Sequence, residues 1–253
     1  MKKLLIGVMV AGILVMTGLR DIHAEYSQIL PLKIERVEAL SKGSMALNAG
    51  LAYEVGREYQ ELEYDNIRLA PLGLRYGVGD SAEVGGFIAF SSNLDDDRNA
   101  PDESGLEGLT LFYKTVMNEN FALQVGITFL GNDDVAPYAN DGADLFVNIP
   151  MQRKISSGLL YGQFGYRIQG GDFDDTDYFN FGIGYGLNLD NNIGFNFELV
   201  GEGEHKGTRN TLELILGSNI PVDDKMRFAP YVSIGIYEDS PDVAIGGLLD
   251  YTF

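Results

Sequence analysis

The residues in this sequence that could do chemistry are ionisable side chains set at alternating positions. Glu54, Arg75, Glu83, Lys114, Lys154, Arg167, Glu198, Glu213 and Asp250 each fall on the smaller, more polar face of a period-two stretch. On the inner wall of a tube such charges tune the selectivity of a pore; in a narrow tube they pair and fill it. Arg75 and Glu83 lie symmetrically about a turn at Gly79, which predicts that they face each other across a hairpin and neutralise one another. Catalysis finds less support. His205 is the only histidine outside the N-terminal leader, and it sits between Glu204 and Lys206 in an expected loop. The Ser–His–Asn arrangement of barrel phospholipases needs a serine within hydrogen-bond reach of that imidazole, and serines such as Ser240 are distant in sequence. Gly-rich phosphate loops, zinc patterns and nucleophile elbows are absent. The chain reads as a non-enzyme, with no catalytic residues and no cofactor.

Carboxylates also cluster between the alternating stretches. Asp95, Asp96 and Asp97 precede Asp102 and Glu103; Asp133 and Asp134 precede Asp141 and Asp144; Asp172 precedes Asp174, Asp175 and Asp177. Hard cations favour such oxygens. The run from Gly170 to Asp177 nevertheless lacks EF-hand spacing, with no glycine at the sixth place and no glutamate at the twelfth. A solvated acidic exterior beside lipopolysaccharide, with divalent cations loosely held, is the simpler expectation, and no metal ligands are assigned.

Composition narrows the partners. The formal charge is −19, and removing Lys2, Lys3, Arg20 and Asp21 with residues 1–24 leaves 15 basic and 36 acidic side chains, or −21. Nucleic acid is excluded as a partner, since phosphate binding needs a basic patch. There is no cysteine, hence no disulfide framework and no thiolate metal site. Residues 1–24 have a basic start, an apolar run over 4–19 and small residues ending at Ala24, the pattern of a secretory signal peptide. Residues 25–41 show no alternation and are expected to form a periplasmic or lumenal N-terminal segment.

Positioning the charges falls to the rest of the chain, residues 42–253. Period-two alternation predicts strands near 43–57, 64–78, 82–93, 105–118, 120–131, 143–156, 158–169, 177–190, 192–204, 208–221, 226–238 and 242–253. Phe121, Leu123, Val125, Ile127 and Phe129 share a face against Ala122, Gln124, Gly126 and Thr128. About twelve strands is an even number, as bacterial single-chain barrels have. Connections alternate short and long, the short ones on the periplasmic side, with longer ones expected near 58–64, 92–104, 131–143, 169–177, 203–209 and 238–242. Pro71, Pro150 and Pro230 fall in or near strands, where bulges or strand ends are expected. The last strand ends on Tyr251 and Phe253, aromatic positions that fit an outer-membrane insertion signal read by the barrel-assembly machinery. Without tryptophan, interfacial belts fall to tyrosine and phenylalanine. The fold expected is all-β: a transmembrane antiparallel up-and-down β-barrel in the cell outer membrane.

The stretch from Leu72 to Phe90 carries Arg75-Tyr76-Gly77, Asp80 and Glu83-Val84-Gly85 about a tight turn. It resembles a recurrent hairpin of outer-membrane barrel putative transporters of the phenol-degradation meta-pathway type. Residues Lys42 to Glu54 also resemble that family's first strand. The resemblance covers about the first quarter of the chain beyond the leader and implies a barrel with a transport role, not a catalytic site. The expected function is passive passage of small solutes. The alternative is a closed structural or surface-interaction barrel acting through its acidic extracellular loops.

Overall fold

Strand formation follows the alternation closely. The computed structural model describes residues 31–59, 62–94, 104–131, 142–155, 158–170, 177–189, 193–204, 210–237 and 239–253. Twelve strands succeed one another: β1 (Met45–Tyr59), β2 (Leu62–Gly79), β3 (Ala82–Asn93), β4 (Gly105–Asn118), β5 (Phe121–Phe129), β6 (Asp144–Ile155), β7 (Gly158–Ile168), β8 (Tyr178–Asn188), β9 (Gly194–Glu204), β10 (Asn210–Pro221), β11 (Met226–Gly235) and β12 (Val243–Thr252). Each pairs antiparallel with its sequence neighbours, and β12 returns to β1 over ten pairs, from Ala46 opposite Thr252 to Val55 opposite Val243. The sheet is a closed barrel with no free edge. Phe253 N–H donates to Met45 O at 2.8 Å, just past the last ladder pair.

The alternation is inverted relative to a water-soluble protein. Leu51, Leu74, Leu111, Val125, Leu145, Phe195, Leu216 and Ile245 point outward and are exposed. Glu54, Asn66, Glu83, Lys114, Gln124, Glu198 and Asn219 point inward and are buried. A sandwich would reverse these faces, because water rewards burying the apolar side. Here the apolar side is the outer one, the pattern of a barrel in lipid.

Three bulges reset which residues face in. On β2 the register slips between Leu69 and Leu72 against both neighbours, around Pro71. Odd residues such as Arg75 face inward below it, and even ones, Arg68 and Asn66, face inward above it. On β1 the slip lies between Glu54 and Arg57, at Gly56 with φ 65°, so both Glu54 and Arg57 are buried inside. On β4, Gly108 pairs with Ala89 and Leu106 with Phe90, leaving Glu107 as the extra residue, buried and turned inward.

Two of the three proline expectations need correction. Pro71 makes a bulge. Pro150 and Pro230 lie inside β6 and β11 with no register shift. Each sits in a gap in the ladder to one neighbour, between Phe121 and Gln124 of β5 and between Gly217 and Ile220 of β10, while pairing to the other neighbour continues. One missing N–H therefore interrupts one ladder only. The expected long connection at 58–64 is also shorter: β1 runs to Tyr59 and β2 starts at Leu62.

Residues 31–44 do not lie outside the barrel. They run from the rim that carries the end of β12 up into the lumen. Gly43 and Ser44 bond to Gly77 at that rim, and Leu32 and Ile34 reach the interior. Leu32 packs with Ala52, Ile215, Ala229 and Tyr231, and Ile34 with Leu159 and Tyr161. This small core sits inside the barrel, mainly against β7 to β11.

Candidate functional site: the lumen and its N-terminal segment

The inner wall and residues 31–41 form one polar network. Glu198, on β9, accepts from Leu32 N–H at 2.6 Å, Lys33 N–H at 2.9 Å and the Tyr161 hydroxyl at 2.8 Å. Its two oxygens thus anchor two consecutive backbone groups of the segment. Lys33 Nζ lies 2.7 Å from Glu213 on β10. Glu35 N–H donates to Gln163, and Leu40 N–H donates to Glu83 at 2.8 Å. Gln152 donates to Glu38 at 2.6 Å.

The densest cluster is near the terminal rim. Lys114, fully buried, contacts Glu83 at 2.9 Å, Glu35 at 2.9 Å and the Arg36 carbonyl at 3.1 Å. Arg75 reaches Asn48 at 2.7 Å, Asp250 at 3.0 Å and Glu83 at 3.5 Å. Asp250 Oδ2 also accepts from Asn48 Nδ2 at 2.6 Å and lies 3.5 Å from Arg36. Burial works against the charge of Glu35, but the Lys114 ammonium outweighs it and holds that carboxyl below its ordinary value. Burial likewise opposes the Lys33 charge, and Glu213 prevails and holds the ammonium above its ordinary value. Both ion pairs are therefore reinforced in their charged forms.

Seven of the nine charges named from the sequence meet in this network or beside it: Glu54, Arg75, Glu83, Lys114, Glu198, Glu213 and Asp250. Glu54 contacts Arg57 at 3.2 Å and Asn66 at 3.3 Å. Arg167 stands apart on β7, 3.8 Å from Asp144 and 38% exposed, with its guanidinium 5.8 Å from the centre of the Phe146 ring. Lys154 is exposed at the terminal rim, opposite Leu159. The expected Arg75–Glu83 pairing is diagonal rather than direct. Arg75 stands opposite Gly85 and Glu83 opposite Gly77, and the stronger partners of each lie elsewhere.

Several interior residues escaped the sequence reading. Arg68 makes a two-pronged contact with Glu107 at 2.8 Å and 2.8 Å, and both face inward only because of bulges. Asp144, expected in an outer acidic loop, is the buried first residue of β6 and accepts from Gly170 N–H. Counting by twos from Phe146 would have found it. Asp177 accepts from the Tyr166 hydroxyl. His205 and the other acidic loop residues, Asp95 to Asp97, Asp102, Glu103, Asp133, Asp134, Asp141, Asp172, Asp174 and Asp175, lie outside the described residues. Among the described residues there is no group of three or more carboxylates or histidines placed to hold a metal ion.

Space remains between the segment and the wall. A cavity of about 460 Å³ is lined by Pro31 to Arg36 on one side and by Arg68, Arg75, Phe87, Phe112, Phe146 and Arg227 among the wall residues.

No protein-family model matches the chain, and no curated protein is recognisably similar to it in sequence. Solved structures do resemble it. An outer-membrane channel from Pseudomonas putida F1 has TM-score 0.64 at 13% identity, covering 88% of this chain and 100% of that one. The NanC porin has TM-score 0.55 at 7% identity, covering 81% and 98%. The translocator domain of the autotransporter NalP from Neisseria meningitidis has TM-score 0.55 at 10% identity, covering 86% and 91%. At these identities the likeness is one of fold: this chain has the closed twelve-stranded antiparallel barrel architecture of outer-membrane barrel proteins.

Proposed function

We propose that the protein is an outer-membrane channel for passive passage of small solutes, its lumen narrowed by residues 31–41. The observation that carries this reading is a closed barrel with an apolar exterior whose charged interior keeps a cavity of about 460 Å³ beside the segment. An eight-stranded barrel is just wide enough for side chains to fill, and twelve strands leave room for such a space. The similarity in fold to a channel and a porin supports the reading. In this orientation the rim with the β12 end faces the periplasm, and the longer connections face outward. Tyr251 and Phe253, whose rings meet edge-on at 4.9 Å, offer the assembly machinery an aromatic end to recognise. Lipid surrounds the barrel, and lipopolysaccharide with loosely held divalent cations faces the outer loops. The inward charges Glu54, Arg75, Glu83, Lys114, Lys154, Arg167, Glu198, Glu213 and Asp250 select among solutes.

The second reading, a closed structural barrel acting at the surface, draws on the ties between residues 31–41 and the wall. Planar-bilayer recording of the full chain and of a variant lacking residues 31–41 separates the two. The channel reading expects stepwise conductance from the full chain and a larger step from the variant. Silence from both, in samples whose electrophoretic mobility still shifts on boiling, sinks it.

A further inference from the structure

Two neighbouring cross-strand rows give the cavity wall a pattern of arginines and phenylalanines that overlaps the salt-bridge network only in part. In the first, Arg75 stands opposite Gly85, Gly85 opposite Phe112, Phe112 opposite Gly126, Gly126 opposite Phe146, and Phe146 opposite Arg167. The glycines have a reason: a Cβ at Gly85 would collide with the Phe112 ring, and one at Gly126 with the Phe146 ring. Each ring lies over its glycine neighbour. In the second row Arg227 stands opposite Asp250, Asp250 opposite Asn48, Asn48 opposite Gly73, and Gly73 opposite Phe87. Strands tilt, so both rows climb the lumen from the terminal rim toward the loop rim. The result is a strip with guanidinium groups at both ends and Phe87, Phe112 and Phe146 between. All of these side chains line the cavity.

Arg227 at one end of the strip and Arg167 at the other are less neutralised than Arg75, which contacts both Asp250 and Glu83. Asp250 Oδ2 is already taken by Asn48, Arg75 and Arg36, so three guanidinium groups, with Arg227, gather about one carboxylate. Among the described residues the Arg227 side chain makes no hydrogen bond or ion pair, although the Asp250 charge acts on it across the ladder. At the other end, Arg167 stands 3.8 Å from Asp144, a long ion pair. Leu32 and Ile34 pack mainly against β7 to β11, Arg36 and Glu35 meet the strip only at its lower margin, at Asp250 and Lys114, and the cavity lies between residues 31–36 and the phenylalanines.

We infer that this strip binds small aromatic carboxylates. A guanidinium accepts a carboxylate in two-pronged geometry, and the phenylalanine rings take the flat apolar body. Neither half suffices for other solutes: a small aliphatic acid leaves the rings unused, and a neutral aromatic leaves the arginines unused. The inference rests on the channel reading for its physiological meaning, but the binding itself does not require an open pore.

The test uses benzoate, acetate and benzyl alcohol with the full chain. Binding is read by saturation-transfer NMR on the detergent-folded barrel, and block is read from potassium chloride conductance in planar bilayers. Benzoate is expected to bind about tenfold more tightly than either of the other two, a difference of roughly 1.4 kcal/mol. Arg227→Gln and Arg167→Gln are each expected to weaken benzoate roughly threefold or more while leaving benzyl alcohol unchanged. Phe146→Leu is expected to reduce the preference for benzoate over acetate. Equal binding of the three probes by the unmodified chain overturns the inference, as does unaltered benzoate affinity in both arginine variants. If a variant fails to fold, the comparison of probes on the unmodified chain still decides. Absence of potassium chloride conductance without any probe counts against the channel reading alone; absence of NMR binding counts against the strip alone.

Discussion

Glu198 shows how a single side chain can hold a segment of backbone. Its two oxygens accept from consecutive N–H groups, Leu32 and Lys33, while Tyr161 donates to one of them. An amide in its place keeps one acceptor and turns an NH2 group toward a donor. Glu198→Gln should therefore loosen residues 31–34, at a cost of about 1–3 kcal/mol for the unmet donor. The expected outcome is a larger or noisier single-channel step in planar bilayers with the barrel still heat-modifiable. An unchanged step would mean that Glu198 does not hold the segment in place. Glu35 and Lys33 each contribute to the pH response. The Glu35 carboxyl is held below its ordinary value of 4.5, so its pairing with Lys114 is fully present above that value and is lost only as pH falls through the lower one. Lys33 is held above 10.5, so its pairing with Glu213 is present below that value and is lost only as pH rises past the raised one. These two pairs should therefore leave conductance level between about pH 5 and 9 and contribute a change only in acid below the ordinary carboxyl value of 4.5 or in strong alkali. A step change near neutrality would place the titrating group elsewhere.

At the scale of elements, glycine and aromatic positions on adjoining strands work as pairs. Tyr161 on β7 lies over Gly184 on β8, and it is almost wholly buried with its hydroxyl committed to Glu198 on β9. The ring cannot swing aside without releasing that bond. Gly184→Ala should destabilise the barrel by about 1–3 kcal/mol and loosen the N-terminal segment at the same time. Tyr161→Phe, which keeps the ring, should loosen the segment with a smaller loss of stability. Denaturant midpoints and conductance steps read the two effects separately; a Gly184→Ala barrel with both unchanged would show that the ring moves freely. Strand positions of this kind were legible in the sequence, because period-two alternation extends over many residues; β3 and β4 begin and end where expected. The inward charges Glu83, Lys114 and Asp250 were legible for the same reason. Arg68 and Glu107 were not, because a bulge flips the phase of each strand and only the folded register shows it. The partners Lys33, Glu35 and Arg36 were not either. Residues 31–41 have no period, and their place is set by the wall that closes around them.

For the whole molecule, the inversion of faces states which solvent the barrel was built for. Leu51 stands near the middle of β1, points outward, is 56% exposed and lies opposite Gly247. In water an arginine there would be close to neutral for stability, since surface substitutions seldom matter. In lipid the same arginine near the bilayer midplane costs about 2–4 kcal/mol. Position 52, one residue on, faces the lumen beside Leu32 and responds to packing instead. Reversible urea unfolding of the Leu51→Arg barrel from liposomes should therefore show a penalty in that range. The same substitution should cost much less at Met117, which is 69% exposed at the C-terminal end of β4 near the terminal rim, where the charge reaches the interface. Equal and negligible effects at both positions would mean that the apolar exterior is not meeting a bilayer. The outer-membrane assignment would then fall, and with it the reading of the cavity as a passage between compartments.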